Sequence, residues 1–458
     1  MQLRIGLLTA ALAAPFLSLV PTARAVPSFA RQTGMPCTAC HTEFPQLTPF
    51  GREFKLEGYT MSNGQSKLPP LAAMAQPSFT HTAQGQKPKA APSFGENDNV
   101  ALTQASLFYA GRLFGPYADS LFGHEVGSYL DHIGTFVQGT YDGVGHEFAW
   151  DNTEVRAAAN TTVKGKPVVL GVYANNNPGM QDLWNTTLAW GFPFSSSGLA
   201  PTPAAAPLLA GTVAQQVIGG GGYGMLDHLL YLEVGGYSTL SGTAQKQLGV
   251  DPEGEPEIRG FAPYWRVAAQ HNWGPHYLEV GTYGMAARTF PERDRSEGKD
   301  RLNDVGFDAQ YQFLSERNDV TVLLNAVHEN EDWRASQPLG LATHATDNLW
   351  LASASASYLF DKTYAADVQY FVTTGSDDPL LYADSRVGSP NSDGWVFELD
   401  WLPLNKNGGP KFWPMSNVKL AVQYTHYMHF DGSSKNFDGT GRSASDNDTL
   451  YLEMWLAF

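Results

Sequence analysis

LYLEMWLAF, residues 450–458, sets Leu450, Leu452, Met454, Leu456 and Phe458 against Tyr451, Glu453, Trp455 and Ala457. Neighbouring side chains of a strand point to opposite faces, so the stretch reads as a strand with one wholly apolar face and one face that carries a carboxylate. The pattern recurs upstream. Val418, Leu420, Val422 and Tyr424 alternate with Lys419, Ala421, Gln423 and Thr425, and Trp395, Phe397, Leu399 and Trp401 alternate with Val396, Glu398 and Asp400. Val305, Phe307, Ala309 and Tyr311 alternate with Asp304, Asp308 and Gln310. No sustained helical periodicity follows residue 70.

Alternation alone suits a soluble sandwich as well as a barrel. The connections separate the two. Tight turns such as VKGKP (163–167), NWGPH (272–276), SERND (315–319) and FDK (360–362) take turns with long polar loops at roughly 176–208, 241–259, 291–301, 332–347, 375–392 and 431–446. Short turns at one rim and long loops at the other are the pattern of a bacterial outer-membrane barrel, and many such barrels end on an amphipathic strand with a terminal Phe, as at Phe458. The expected fold is therefore mainly β: an antiparallel barrel of about sixteen strands over residues 71–458, with both chain ends in the periplasm. The first two strands, at 73–84 and 99–114, and the stretch 115–131 are the weak points of that count; without the first pair it is fourteen. Strands are also expected at 132–149, 152–163 and 209–223.

The other end of the chain reads differently. Residues 1–25 carry Arg4, an apolar run broken by Pro15, and Ala23-Arg24-Ala25, the three parts of a secretory signal peptide cleaved before Val26; the run is too short and interrupted for a membrane anchor. Export places the mature chain where two nearby cysteines would ordinarily pair. Both cysteines of the chain, however, lie in Cys37-Thr-Ala-Cys40-His41. In C-x-x-C-H the two thiols add to the vinyl groups of one haem and the adjacent imidazole becomes an axial ligand, so Cys37 and Cys40 are the candidates for covalent haem c attachment and His41 for the iron. A bare disulfide or metal clip is the alternative. Thr48-Pro49 reads as an N-cap with proline at the first helical position and Gly58 as a stop, which gives a short helix over 49–57 with Phe50 and Phe54 on one face. Met61, just beyond it, is the first candidate for the distal axial ligand, with Met74 and His81 as rivals; Arg31, Arg52 and Lys55 have the charge to pair with haem propionates. A 26–70 unit is very small to fold alone.

Acidic residues outnumber basic ones by 45 to 29, for a net charge of -16, which disfavours nucleic acid and favours cations as partners. By the alternation Glu233, Asp304, Asp308, Asp367, Glu398, Asp400 and Glu453 face the lumen. Loops add Asp251, Glu253, Glu255 and Glu257 as a cluster, with Asp377, Asp378, Asp431 and Asp438 elsewhere; a polar lumen and solvated loops explain these as well as cation guidance does. HENED (328–332) has metal-ligand types without helical spacing.

VPSFARQTGMPCTACHTEFPQLTPFGREFKLEGYTM (26–61) resembles the N-terminal region of the fused monohaem cytochrome-porins of iron-oxidising bacteria. The resemblance rests on Phe29 to Gly34, on Cys37, Cys40 and His41, on Pro-x-Leu-x-x-Phe-Gly at 45–51, and on the pairs Phe54-Lys55 and Gly58-Tyr59; no motif in the barrel adds to it. It implies electron transfer from an extracellular donor, ferrous iron in the best-studied members, through one haem c to a periplasmic c-type cytochrome or similar acceptor. That would be an iron(II):cytochrome c oxidoreductase-type activity in an outer-membrane lipid setting. Two other readings compete: a solute-diffusion porin with an accessory haem unit, and a haem enzyme such as a peroxidase. The second would need a distal histidine or arginine, and the N-terminal unit has no histidine besides His41.

Overall fold

The computed structural model describes residues 27–188, 190–252, 257–410 and 415–458. The signal-peptide reading of 1–25, the cleavage point before Val26, and Glu253 and Glu255 of the loop cluster lie outside the described residues.

Sixteen strands make one closed antiparallel barrel. They are β1 (Leu71–Thr82), β2 (Asn99–Arg112), β3 (Ile133–Asp142), β4 (Glu147–Val163), β5 (Lys166–Asn175), β6 (Val217–Leu226), β7 (Leu230–Thr239) and β8 (Ala262–Trp273). The second half comprises β9 (His276–Phe290), β10 (Asp300–Leu314), β11 (Asn318–Asp332), β12 (Thr346–Phe360), β13 (Tyr364–Gly375), β14 (Ser392–Trp401), β15 (Asn417–His429) and β16 (Thr449–Ala457). Each strand pairs with its sequence neighbours, and β1 closes the ring on β16 through Phe79↔Leu452 and Met74↔Ala457. The two-residue strand Glu257–Ile258 only extends the ladder at the end of β9.

The expected alternation holds. Asp304, Asp308, Glu398, Asp400 and Glu453 are buried inside, whereas Phe307 (58 % exposed) and Leu399 (64 %) stand on the outer surface. An outer surface this apolar around a closed barrel is solvated by lipid, not water, and the strands satisfy every internal ladder bond without a free edge. The chain is an outer-membrane β-barrel. Both barrel ends, at Leu71 and Ala457, lie at the rim of the tight turns, the periplasmic rim of such barrels. Those turns take their shape from left-handed residues: Lys164 and Gly165 between β4 and β5, and Asp361 and Lys362 between β12 and β13, have positive φ at both central positions, the geometry that matches hairpin twist.

Two expectations shift, and the unassigned stretch after β2 is resolved. The break foreseen at 150–151 falls instead at 143–146, where the Asp142 carboxylate accepts the N–H groups of Val144 and Gly145 and forces the turn early. The strand expected from 209 begins at Val217, because Leu208–Ala210 is a single 3-10 turn drawn into the lumen by bonds from Leu208 N to Glu329 (3.1 Å) and Leu209 N to Asp304 (2.8 Å). The stretch 115–131 folds as short helical turns at the periplasmic rim.

Inside the barrel lie α1 (Pro27–Thr33), α2 (Cys37–Cys40) and α3 (Pro49–Leu56). Their side chains reach strands on every side of the ring: Arg52 bonds Gln310 and Gln312 of β10, Tyr59 bonds Glu154 of β4, Gln46 bonds Ser357 of β12, and Phe44 meets Trp455 of β16. The segments 176–188 and 190–216 also turn inward, burying Leu183 and Trp184 beside Leu56. The N-terminal segment occupies the periplasmic half of the lumen, and the inward loop also reaches the outer half, where Ser197 meets Thr80 and Leu208 N donates to Glu329.

Replacing Phe307 by Arg puts a charge at the middle of a lipid-facing strand and should destabilise the barrel by about 2–4 kcal/mol. Denaturant unfolding in bilayers measures it; no loss of stability would show that this face is not in lipid.

Candidate functional site

The N-terminal segment is held by its neighbours, residue by residue. Thr48 caps α3 by accepting from Gly51 N (3.1 Å), while its hydroxyl donates to Ala39 O (2.6 Å) and ties α3 to α2. Pro49 opens the helix, as its missing N–H allows. Gly51 is required by contact: a Cβ there would stand 2.2 Å from Cys40 O. At the other end the last carbonyls of α3 have no partner within the helix. The barrel wall supplies them, Arg156 donating to Lys55 O (2.9 Å) and Tyr223 to Leu56 O (2.7 Å). The chain then turns at Gly58 (φ +66), whose carbonyl lies so close to Gly134 of β3 that any side chain there would collide with it.

This packing leaves a cavity of about 410 Å³ between the inserted segments and the β1–β4 and β16 wall. Cys37, Cys40 and His41 line it, with Phe29, Phe54 and Tyr59 from the same segment, Phe108, Phe136 and Trp455 from the wall, and Trp190 and Phe192 from the inward loop. It extends from Ala72 and Ala457 at the periplasmic rim to Asp151 and Asn152 near the outer end of β4.

The two cysteines are not joined to each other, and burial raises both as thiols, Cys37 to about 12 and Cys40 to about 11. His41 Nδ1 lies 3.1 Å from Pro45 O and 3.3 Å from Gln46 O. Carbonyl oxygens only accept, so Nδ1 carries the proton and Nε2 keeps its lone pair; burial, which lowers the His41 pKa, also favours this neutral form. Such a second contact fixing the ring is the usual support of a metal-binding imidazole.

The other expected site residues separate. Met61 does not line the cavity; its carbonyl accepts from Gln32 Nε2 (2.9 Å) at the periplasmic side. His81 is exposed and paired with Asp98. Met74 does line the cavity, with Met35 and Met180. Met180, 2 % exposed, comes from the inward loop, which reads in sequence as one more polar extracellular loop; its aromatic density between Trp184 and Phe194 is the signal that distinguishes it. Of the basic residues, Lys55 lines the cavity, donating to Asp182 O (2.5 Å) and Asn185 Oδ1 (3.0 Å). Arg52 is spent on β10 and lies over the Tyr277 ring (3.8 Å), and Arg31 donates to Leu71 O. Phe54 faces the cavity and Phe50 does not. In HENED the ladder divides the residues, with His328 stacked outside on Trp350 and Glu329 and Glu331 buried inside, so they share no site.

No protein-family model matches the chain, and no curated protein matches it. Solved structures similar to it are porin-like barrels. OprB of Pseudomonas putida shares 11 % identity over 85 % of this chain and 93 % of its own, with a TM-score of 0.49. The anion-selective porin from Comamonas acidovorans shares 12 % over 84 % and 98 %, at 0.44, and the outer-membrane channel DcaP of Acinetobacter baumannii 9 % over 85 % and 96 %, at 0.41.

Gly51→Val should either cost about 3 kcal/mol through overpacking or unseat α3 altogether. Limited proteolysis from the periplasmic side reads this as faster cleavage within 27–70; unchanged protection would mean that α3 does not sit on the Cys40 carbonyl.

Proposed function

We propose that Cys37 and Cys40 hold one haem c in this cavity, that His41 Nε2 is an axial ligand, and that the protein passes electrons from an extracellular donor, ferrous iron or another reductant, to a periplasmic c-type cytochrome or similar carrier. The observation that carries the reading is that both cysteines and a histidine with its Nδ1 already engaged line one apolar cavity inside a plugged barrel. Haem supplies a one-electron couple. The chain's residues do the rest: the thiols anchor, the Pro45 and Gln46 carbonyls orient the imidazole, and the aromatic lining keeps water from the centre. Lys55 offers the cation for a buried carboxylate. Leu56, Leu183 and Trp184 pack together beside the cavity, and in this reading the inserted segments hinder solutes while the haem carries electrons.

In this reading a cavity-lining thioether would be a further ligand of the iron, and Met180 is the most completely buried of the three. A sulfur ligand raises the potential relative to a second imidazole, which suits a donor such as Fe²⁺.

A second reading draws on the length of the same cavity: without haem it is a space leading from the periplasmic rim toward the outer end of β4, and the protein a solute channel of porin type. Two measurements separate them. Covalent haem retained on a denaturing gel, one per chain and lost in Cys37→Ala/Cys40→Ala, with negligible conductance in planar bilayers, supports the first; an open ohmic conductance and no bound haem establishes the second. In the haem-loaded protein, Met180→Leu should lower the midpoint potential and remove the sulfur-to-iron absorption band, while Met61→Leu changes neither. The reverse pattern would restore Met61 as the ligand.

A further inference from the structure

We propose that Glu43, Asp367, Glu398 and Asp400 bind a hard divalent cation, Ca²⁺ in preference to Mg²⁺, that fastens the inserted N-terminal segment to the barrel wall. Glu43 lies between α2 and α3, Asp367 on β13, and Glu398 and Asp400 on β14, and one oxygen from each lies within 4.8 Å of the others. All four are buried, Glu43 completely.

Lys419 of β15 does not account for the group. Its ammonium contacts Glu398 Oε1 (2.6 Å), Glu43 Oε1 (3.1 Å) and Asp400 Oδ2 (3.2 Å), and donates to Pro193 O (2.9 Å). Glu43 Oε2, Asp400 Oδ1 and both oxygens of Asp367 are left without a hydrogen-bond partner where water does not reach. With all four ionised, one ammonium would leave three negative charges unmatched in a dry interior, so the group needs either protons, which burial favours by pushing Glu43 up to about 8, or a further positive charge. A divalent ion beside the ammonium would use the orphaned oxygens.

The donor set selects among ions. Four carboxylates offer up to eight oxygens in mono- or bidentate modes, the range Ca²⁺ takes; Mg²⁺ demands a tight octahedron and keeps several waters, for which a buried all-carboxylate group has little room. Thiolate and imidazole, which softer metals prefer, are absent from it. The ion would join the segment two residues past His41, which no backbone ladder ties to the wall at this point, to the paired strands β13 and β14, where Asp367 stands opposite Glu398. The site needs no haem, so its test stands apart from the functional reading.

The test uses the full-length protein in detergent, stripped with chelator and titrated calorimetrically with CaCl₂ and then MgCl₂. One Ca²⁺ per chain with an affinity of about 1 mM or tighter is expected, with Mg²⁺ at least tenfold weaker and Asp367→Asn at least tenfold weaker for Ca²⁺. Stripped wild-type protein should lose protease protection of residues 27–70 and regain it on adding Ca²⁺. Since Asp367→Asn removes a buried charge, barrel folding is checked by heat-modifiable gel migration, and the wild-type protection experiment stands even if that variant does not fold. The proposal is overturned by the absence of saturable Ca²⁺ binding, by binding that Asp367→Asn and Asp400→Asn both leave intact, or by protection that follows pH and ignores Ca²⁺; the last would mean that protons neutralise the group.

Discussion

A segment of roughly forty residues cannot shield its own apolar side chains from water, and the arrangement of the lumen answers to that constraint. Residues 27–61 have three short helices and, for a core, little beyond the contact of Phe29, Phe54 and Tyr59. Leu56 is buried only because Leu183, Trp184 and the tyrosines of the wall close over it, and Phe44 only because Trp455 and Met74 do. Even the helix termini are completed from outside, with Arg156 and Tyr223 taking the last carbonyls of α3. The barrel therefore serves as the missing half of a small domain, and the domain as the stopper of the barrel.

Charge enforces the same partnership. Three buried cations project inward from the wall, and each holds an inserted segment. Arg156, paired with Glu154, grips Lys55 and Gln181 by their carbonyls; Arg266 meets Asp182 of the inward loop as well as Glu279 and Asp308; Lys419 meets Glu43. Buried pairs of this kind contribute little net stability over apolar packing, but losing one partner strands the other, so they penalise any alternative seating. A wide diffusion pore gains nothing from such pairs. A lumen that must keep one cavity in register between a cysteine motif and an inward loop does.

Most of the barrel was legible in the sequence because its period is local. Each outward Val, Leu or Phe is two residues from the next, and lipid on one side and packed lumen on the other leave no choice of face. The helix at Pro49 was legible for the same reason, since Thr48, Pro49 and Gly58 act on their own backbone. What was not legible depends on distant residues. The polar loop after Asn175 folds inward because Asp304 and Glu329, 95 and 121 residues beyond the N–H groups they accept, hold Leu209 and Leu208, and because Arg266 waits for Asp182. Met61 stands near His41 in sequence, yet Gln32 holds its backbone away from the cavity, while Met180, remote in sequence, lines it. The cysteine motif could be read in the sequence as a candidate for haem attachment, but its surroundings could not, and the surroundings decide between a stopper and a channel.

Proteoliposomes carrying the protein, with oxidised cytochrome c and a small neutral dye trapped inside and Fe²⁺ added outside under anoxic conditions, put the central claim to one measurement. Internal cytochrome c should be reduced while the dye is retained, and Cys37→Ala/Cys40→Ala should abolish the reduction. Dye escaping as fast as the cytochrome is reduced, or reduction that persists in the cysteine variant, would contradict an electron path through a stoppered barrel.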